Sequence, residues 1–289
     1  MYTNLNPRTM GLNHHPYEDL LAAAGKCGFG GIEVPAHAFG SVEKAREAGK
    51  VLESRGMKWG LMMGPCDMFR AGDEEFDKAL EQWARWLERA GAAGCCRAYN
   101  HFWPGNDERD FEENFEWHHK RLQRIYHIMK ENGFQYGLEF MGARTVCSKF
   151  RYPFIRTISG TMALADSVSR EIGFVFDCIH WYASGARKDD LYLYLNNMER
   201  VVNLHLDDAY PGRGPDQQED RERAMPNQWG IIDSTAIVRA FHEKGYEGPV
   251  IVEPMAPTTE RYETMKLEEA VREAALCLNG VLQEAGVFI

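Results

Sequence analysis

Short apolar runs alternate with longer amphipathic stretches from one end of this chain to the other, and few architectures satisfy that rhythm. The apolar runs fall at Gly31–Val34, Lys58–Met63, Cys95–Asn100, Gln135–Phe140, Gly173–Asp177, Val201–Leu206 and Pro249–Glu253, with a weaker one at Tyr2–Leu5. Most are rich in Val, Ile, Leu and aromatics, which reads as strands buried on both faces. Between them apolar residues recur every three or four positions, as at Phe76, Leu80, Trp83 and Leu87, the spacing of one helix face. Helices are expected at Tyr17–Cys27, Ser41–Arg55, Asp73–Ala90, Phe111–Asn132, Gly160–Glu171, Asp189–Asn196, Asp233–Lys244 and Met265–Glu284. Gly28, Gly56, Gly91, Gly133, Gly173 and Gly245 each stand between a helical stretch and a strand, where a left-handed turn often ends a helix.

Strands and helices in strict alternation predict an α/β fold, a (β/α)8 TIM barrel forming one domain over residues 1–289. A doubly wound open sheet is the alternative, and no glycine-rich phosphate loop follows the first strand to support it. The formal net charge of -10 argues against nucleic acid as a partner. No apolar run approaches the roughly 18 residues that would cross a membrane. Seven cysteines, an odd number without a CxxC pair, read as reduced thiols, and the N-terminal residues do not read as a signal peptide. A cytoplasmic location is expected.

The polar residues at the strand ends carry the chemistry. YGLEF brings Glu139, FVFD brings Asp177, VVNLH brings His205 and VIVE brings Glu253. Any one of these alone would be a helix cap, an ion-pair partner or a solvated loop residue. Together they lie on four consecutive strands, whose C-terminal ends in a barrel converge on the face where active sites are built. Three carboxylates brought together and desolvated repel one another unless a positive centre joins them. A divalent metal ion is therefore expected on Glu139, Asp177, His205 and Glu253, with manganese, magnesium or cobalt suited to such oxygen-rich ligands and zinc also compatible.

At these residues the chain resembles the xylose-isomerase-like TIM barrel superfamily, which includes D-tagatose 3-epimerase, inosose dehydratase and other sugar phosphate isomerases and epimerases. GLEFMG, FDCIHWY, LHLDDA and VIVEPM carry the resemblance, and GFGGIEVPA looks like the family's second-strand signature. The resemblance implies one metal, manganese first, on the same four residues. It also implies that Glu139 and Glu253 act as the acid/base pair and that His180 of DCIH touches the substrate. Arg223 of DRERAMP is the match for the family's substrate-holding arginine, with Arg213 a second candidate. His101, at the end of the fourth strand, is a further candidate for substrate contact.

The expected activity is a metal-dependent isomerase or epimerase acting on a ketose or related sugar or polyol by proton transfer through an enediolate. The alternative is a lyase or dehydratase on an inosose, keto-sugar or keto-glycoside, of the C-glycoside deglycosidase type. The expected partner is a small sugar or polyol. A homo-oligomer is implied by the resemblance alone, and the deglycosidase reading would require a second subunit.

Overall fold

The computed structural model describes residues 1–288. Eight parallel staves close into a barrel: β1 (Tyr2–Leu5), β2 (Gly31–Ile32), β3 in two pieces (Lys58–Trp59 and Met62–Met63), β4 (Arg97–Phe102), β5 (Gln135–Phe140), β6 (Gly173–Asp177), β7 (Val201–Leu206) and β8 (Pro249–Val252). β1 pairs with both β2 and β8, while the first piece of β3 pairs with β2 and the second with β4. The interrupted third stave is thus the seam that completes the circle. Eight helices lie outside: α1 (Tyr17–Lys26), α2 (Val42–Ser54), α3 (Asp73–Ala92), α4 (Phe111–Glu131), α5 (Ile158–Asp166), α6 (Lys188–Leu195), α7 (Ser234–Glu243) and α8 (Leu267–Glu284). The alternation predicted the (β/α)8 barrel, and the barrel is what forms.

Two layers of apolar packing hold it. The larger lies between staves and helices and includes Trp83, Phe102, Leu122, Phe176, Phe241 and Leu278, all fully buried. The smaller joins Leu61, Tyr99, Val175 and Val202, which come from β4, β6, β7 and the break in β3. Side chains from staves that are not neighbours meet only across the barrel interior, so this cluster plugs the barrel beneath the site. A plugged interior leaves the C-terminal mouth as the face open to a ligand.

Local chemistry sets the element ends. Ser41 accepts a hydrogen bond from Lys44 N to start α2, and Asp110 and Glu113 form a reciprocal capping box at the start of α4. α5 was expected over Gly160–Glu171 and instead runs Ile158–Asp166. The Thr157 side chain accepts from Gly160 N to set the start, and beyond the end the Ser169 hydroxyl accepts from Glu171 N, a local bond that competes with the helix. Gly91 lies inside α3, and it is Gly94 that takes the left-handed turn, at φ +95°. Gly173 opens β6, where a Cβ would stand 2.1 Å from the Arg200 carbonyl oxygen, so close packing rather than a turn selects glycine. β4 runs to Phe102, two residues past its expected end, and carries His101 within it. Among the described residues, no helix is long and apolar enough to cross a membrane.

Candidate metal centre

β5, β6, β7 and the residue after β8 deliver Glu139, Asp177, His205 and Glu253 to one point. Each offers one ligand atom, and these atoms all lie within 4.8 Å of one another. All four residues are buried, His205 completely. Register explains the convergence, since His205 pairs with Asp177 on one side and Ile251, two residues before Glu253, on the other. Side chains in register on parallel staves share a face.

Asp177 serves two elements at once. As the last residue of β6 it caps the helical turn Cys178–Ala183, its Oδ1 accepting from Ile179 N at 2.9 Å and His180 N at 3.1 Å. That bond pair leaves Oδ2 to face the cluster. The same turn brings His180 Nε2 to 3.8 Å from Asp177 Oδ2. The loop after β5 presses against this turn at Gly142, where a Cβ would lie 2.0 Å from the His180 carbonyl oxygen.

His205 Nδ1 stands 2.6 Å from Glu253 Oε2 and 2.9 Å from Glu139 Oε1. That Glu139 oxygen is buried and has no hydrogen-bond partner despite its proximity to the ring. One ring nitrogen carries at most one hydrogen and satisfies one carboxylate; a divalent cation accepts lone pairs from all four groups. Ligand atoms about 2.0–2.2 Å from a cation are separated by at most roughly 4.4 Å. The four residues therefore fit a divalent cation with adjustments of a few tenths of an ångström. Burial alone would drive the imidazole toward its neutral form, but the carboxylates of Glu253 and Glu139 outweigh it and raise the His205 pKa well above its ordinary value. The converse holds for Asp177: burial would raise its pKa, yet His180, Arg223 and His205 hold it well below the usual range.

Arg223 completes the cluster. Its Nη1 donates to Asp177 Oδ2 at 2.9 Å, Glu253 Oε2 at 3.1 Å and Asp207 Oδ2 at 3.2 Å. Its Nη2 donates to Asp220 Oδ1 at 2.9 Å and lies 3.4 Å from His180 Nε2. The guanidinium thus compensates ligand carboxylates while Asp207 and Asp220 fix its direction. Asp207, missed from the sequence, has its pKa pushed well up by burial and by the neighbouring Asp177. Cys178 turns to Asp207 Oδ1 at 2.8 Å. Arg213, the second arginine candidate, is occupied by Glu222 at 2.5 Å. His101 is in register with Glu139 and packs edge-on against Trp103 with ring centroids 6.2 Å apart.

Beside the cluster, over the ends of β1 to β4, lies a cavity of about 720 Å³. Tyr99 and Arg8 form its shared wall with the metal centre. Tyr99 meets the His205 ring edge-on at 5.7 Å, and Arg8 Nη2 donates to the Tyr99 hydroxyl at 3.4 Å. Glu33 lines the cavity and accepts from Asn4 Nδ2 at 2.9 Å; burial pushes its pKa up to about 8. His37 also lines it.

The sequence profile described as "Xylose isomerase-like TIM barrel" matches residues 21–280. The chain belongs to that family. An inosose isomerase from Halalkalibacterium halodurans is 30% identical over 156 residues, covering 53% of this chain and 50% of that protein. The match thus spans about half the length of the curated relative. Among solved structures, the IolI protein with a bound zinc atom superposes with a TM-score of 0.79 at 20% identity, covering 99% of each chain. A D-psicose 3-epimerase solved in the presence of D-fructose gives a TM-score of 0.73 at 14% identity, covering 99% of this chain and 100% of that one. At these identities the structural likeness speaks for the family's barrel alone.

Proposed function

We propose that this chain is a divalent-metal-dependent isomerase or epimerase of a ketose or related cyclic polyol ketone. The observation that carries the reading is the placement of two glutamates, Glu139 and Glu253, on either side of His205 Nδ1 at 2.9 and 2.6 Å. Membership of a sugar isomerase and epimerase family and the likeness to an inosose isomerase support it. When bound, a divalent cation would polarise a carbonyl and its neighbouring hydroxyl, making the adjacent C–H more acidic. Glu139, Asp177, His205 and Glu253 would hold that ion. The zinc in the IolI neighbour supports a transition-metal ion, with manganese our first choice for so carboxylate-rich a set.

In this reading one of the two glutamates removes the proton next to the carbonyl and the other, from the opposite side, returns one. Return to the same carbon inverts it, and return to the neighbouring carbon moves the carbonyl. His180 and Arg223 orient substrate oxygens from the Asp177 side, and His101 contributes from the Glu139 side. A panel of ketoses and inososes incubated with metal-loaded protein in deuterated water tests this. Deuterium should enter at a carbon next to the carbonyl, with an epimer or positional isomer as product. Loss of a hydroxyl or a glycosidic substituent instead would overturn the isomerase reading in favour of a lyase.

A further inference from the structure

A second cavity, of about 880 Å³, opens at the foot of the barrel, the end away from the metal centre. The interrupted third stave makes room for it. The first piece of β3 pairs with β2, and only the second piece pairs with β4. At the foot the seam between β3 and β4 therefore has no ladder, and Lys58, Trp59, Cys96 and Arg97 line the opening.

Charge in this cavity runs against the chain as a whole, whose net charge is -10. Arg46 and Lys50 of α2, Lys58 of β3 and Arg97 of β4 line it against Glu53 and Glu247, four positive charges to two negative. Among the described residues, none of the four cations forms an ion pair or donates to an oxygen; Lys58 Nζ instead lies 5.4 Å from the centre of the Tyr2 ring, and Arg97 meets a thiol. Arg46 and Lys50 stand one helical turn apart, where like charges repel.

Arg97 carries the argument furthest. Alternate residues of a strand share a face. Tyr99 belongs to the plug of the barrel interior and His101 is in register with Glu139, so Arg97 points inward below the plug. It is half-buried, and its one hydrogen bond runs from Nη1 to Cys96 Sγ at 3.7 Å, although the guanidinium has five N–H groups to satisfy and sulfur is a weak acceptor. Arginine is seldom drawn into a fold without a partner. A cleft lined by one sign of charge against apolar walls concentrates its potential on whatever enters.

Lysine and arginine only donate, so the missing partners are acceptors. Two surplus positive charges call for a dianion or more, and the arginine fork matches the oxygens of phosphate and carboxylate alike. The volume of about 880 Å³ falls within the roughly 300–1,000 Å³ of small-molecule sites. From this we propose that the foot of the barrel is a binding site for a small polyanion, a molecule with two or more clustered phosphate or carboxylate charges. Arg97 and the ring of Glu139 are four residues apart along the staves, roughly 13 Å, so this site is separate from the metal centre and does not depend on its chemistry.

The test is calorimetric titration of the full chain with pyrophosphate and with citrate, at about 0.05 M salt, where exposed charges are less screened than at physiological strength. At least one of the two should bind with a dissociation constant of about 100 μM or tighter, and the better binder tells phosphate from carboxylate. Lys58→Gln and Arg97→Gln should each weaken binding about tenfold. Glu53→Gln should tighten it, since a like charge is removed. His205→Ala should leave it unchanged, which separates the foot of the barrel from any ion at the metal centre. Thermal melting selects folded variants, and Lys58, being exposed, decides the matter should Arg97→Gln not fold. Failure of both probes to bind at millimolar concentration would overturn the site, as would binding that either folded cation variant leaves unchanged or that His205→Ala abolishes.

Discussion

His205 Nδ1 lies 2.6 Å from Glu253 Oε2, while the opposite ring nitrogen, Nε2, has no hydrogen-bond partner. The imidazole is therefore committed to the carboxylate cluster through a single atom. Its replacement by alanine should remove one of four ligands and lower metal affinity by a factor of 100 or more. Elemental analysis after dialysis against a defined metal buffer measures the loss. Full metal content in His205→Ala would show that the ion binds elsewhere.

Adding metal to stripped protein should raise its thermal stability. A ligand that binds only the folded state contributes about 2.7 kcal/mol at a hundredfold excess over its dissociation constant. The melting temperature should climb with metal concentration and return on chelation, and the climb should be much smaller in Glu139→Gln. A melting temperature indifferent to manganese, zinc and cobalt would contradict the centre.

Arg223→Met should destabilise the metal-free protein by about 3–5 kcal/mol, the usual cost of removing one partner from a buried ion pair. The guanidinium is 3% exposed and contacts Asp177, Glu253, Asp207 and Asp220. Metal should recover part of the loss, because it compensates two of the same carboxylates. Urea denaturation with and without metal measures both quantities.

Gly142→Ala should cost roughly 1–3 kcal/mol and depress turnover together. The new methyl would stand 2.0 Å from the His180 carbonyl oxygen and push against the turn that Asp177 caps. A variant with wild-type stability and turnover would mean that the loop after β5 yields without disturbing the site.

Acid should weaken the fold through His118, which lies on α4. This α4 residue stacks on Phe69 at 4.9 Å, and burial lowers its pKa to about 4 although the Asn114 carbonyl 2.7 Å from its Nδ1 opposes the shift. The unfolded chain titrates near 6.5, so between about 6.5 and 4 it binds a proton that the folded protein refuses. The contribution is present above pH 6.5 and is lost as pH falls through the folded value, by roughly 3 kcal/mol in all. His118→Phe should show a smaller drop in denaturation midpoint between pH 7 and pH 4.5 than the unsubstituted protein.

The barrel and the convergence of Glu139, Asp177, His205 and Glu253 were legible because each depends on short-range pattern. Glu139, Asp177, His205 and Glu253 stand at the ends of apolar runs, and the closure of a barrel does the rest. Strand register cannot be read that way. β3 was expected as one run and is broken at Gly60, where a Cβ would fall 2.3 Å from Asn4 Nδ2. The Asn4 side chain fills the space that a side chain at position 60 would need. The clamps on Arg223 were also hidden, since Asp207 and Asp220 approach it from either side of a long polar loop. A signal for the cavity did exist. In YTNLN, the buried Asn6 just after β1 lines the cavity beside the metal centre, and the buried Asn4 within β1 donates to Glu33, which lines it too.

Stave length is uneven around the barrel. β4 to β7 span five or six residues each, whereas β2 and the two pieces of β3 have two apiece. Three of the four clustered residues, Glu139, Asp177 and His205, are borne on the long side, and the short side frames that cavity. Substitutions that reshape β2, β3 and their loops would therefore alter the cavity walls while leaving the staves that bear Glu139, Asp177 and His205 in place.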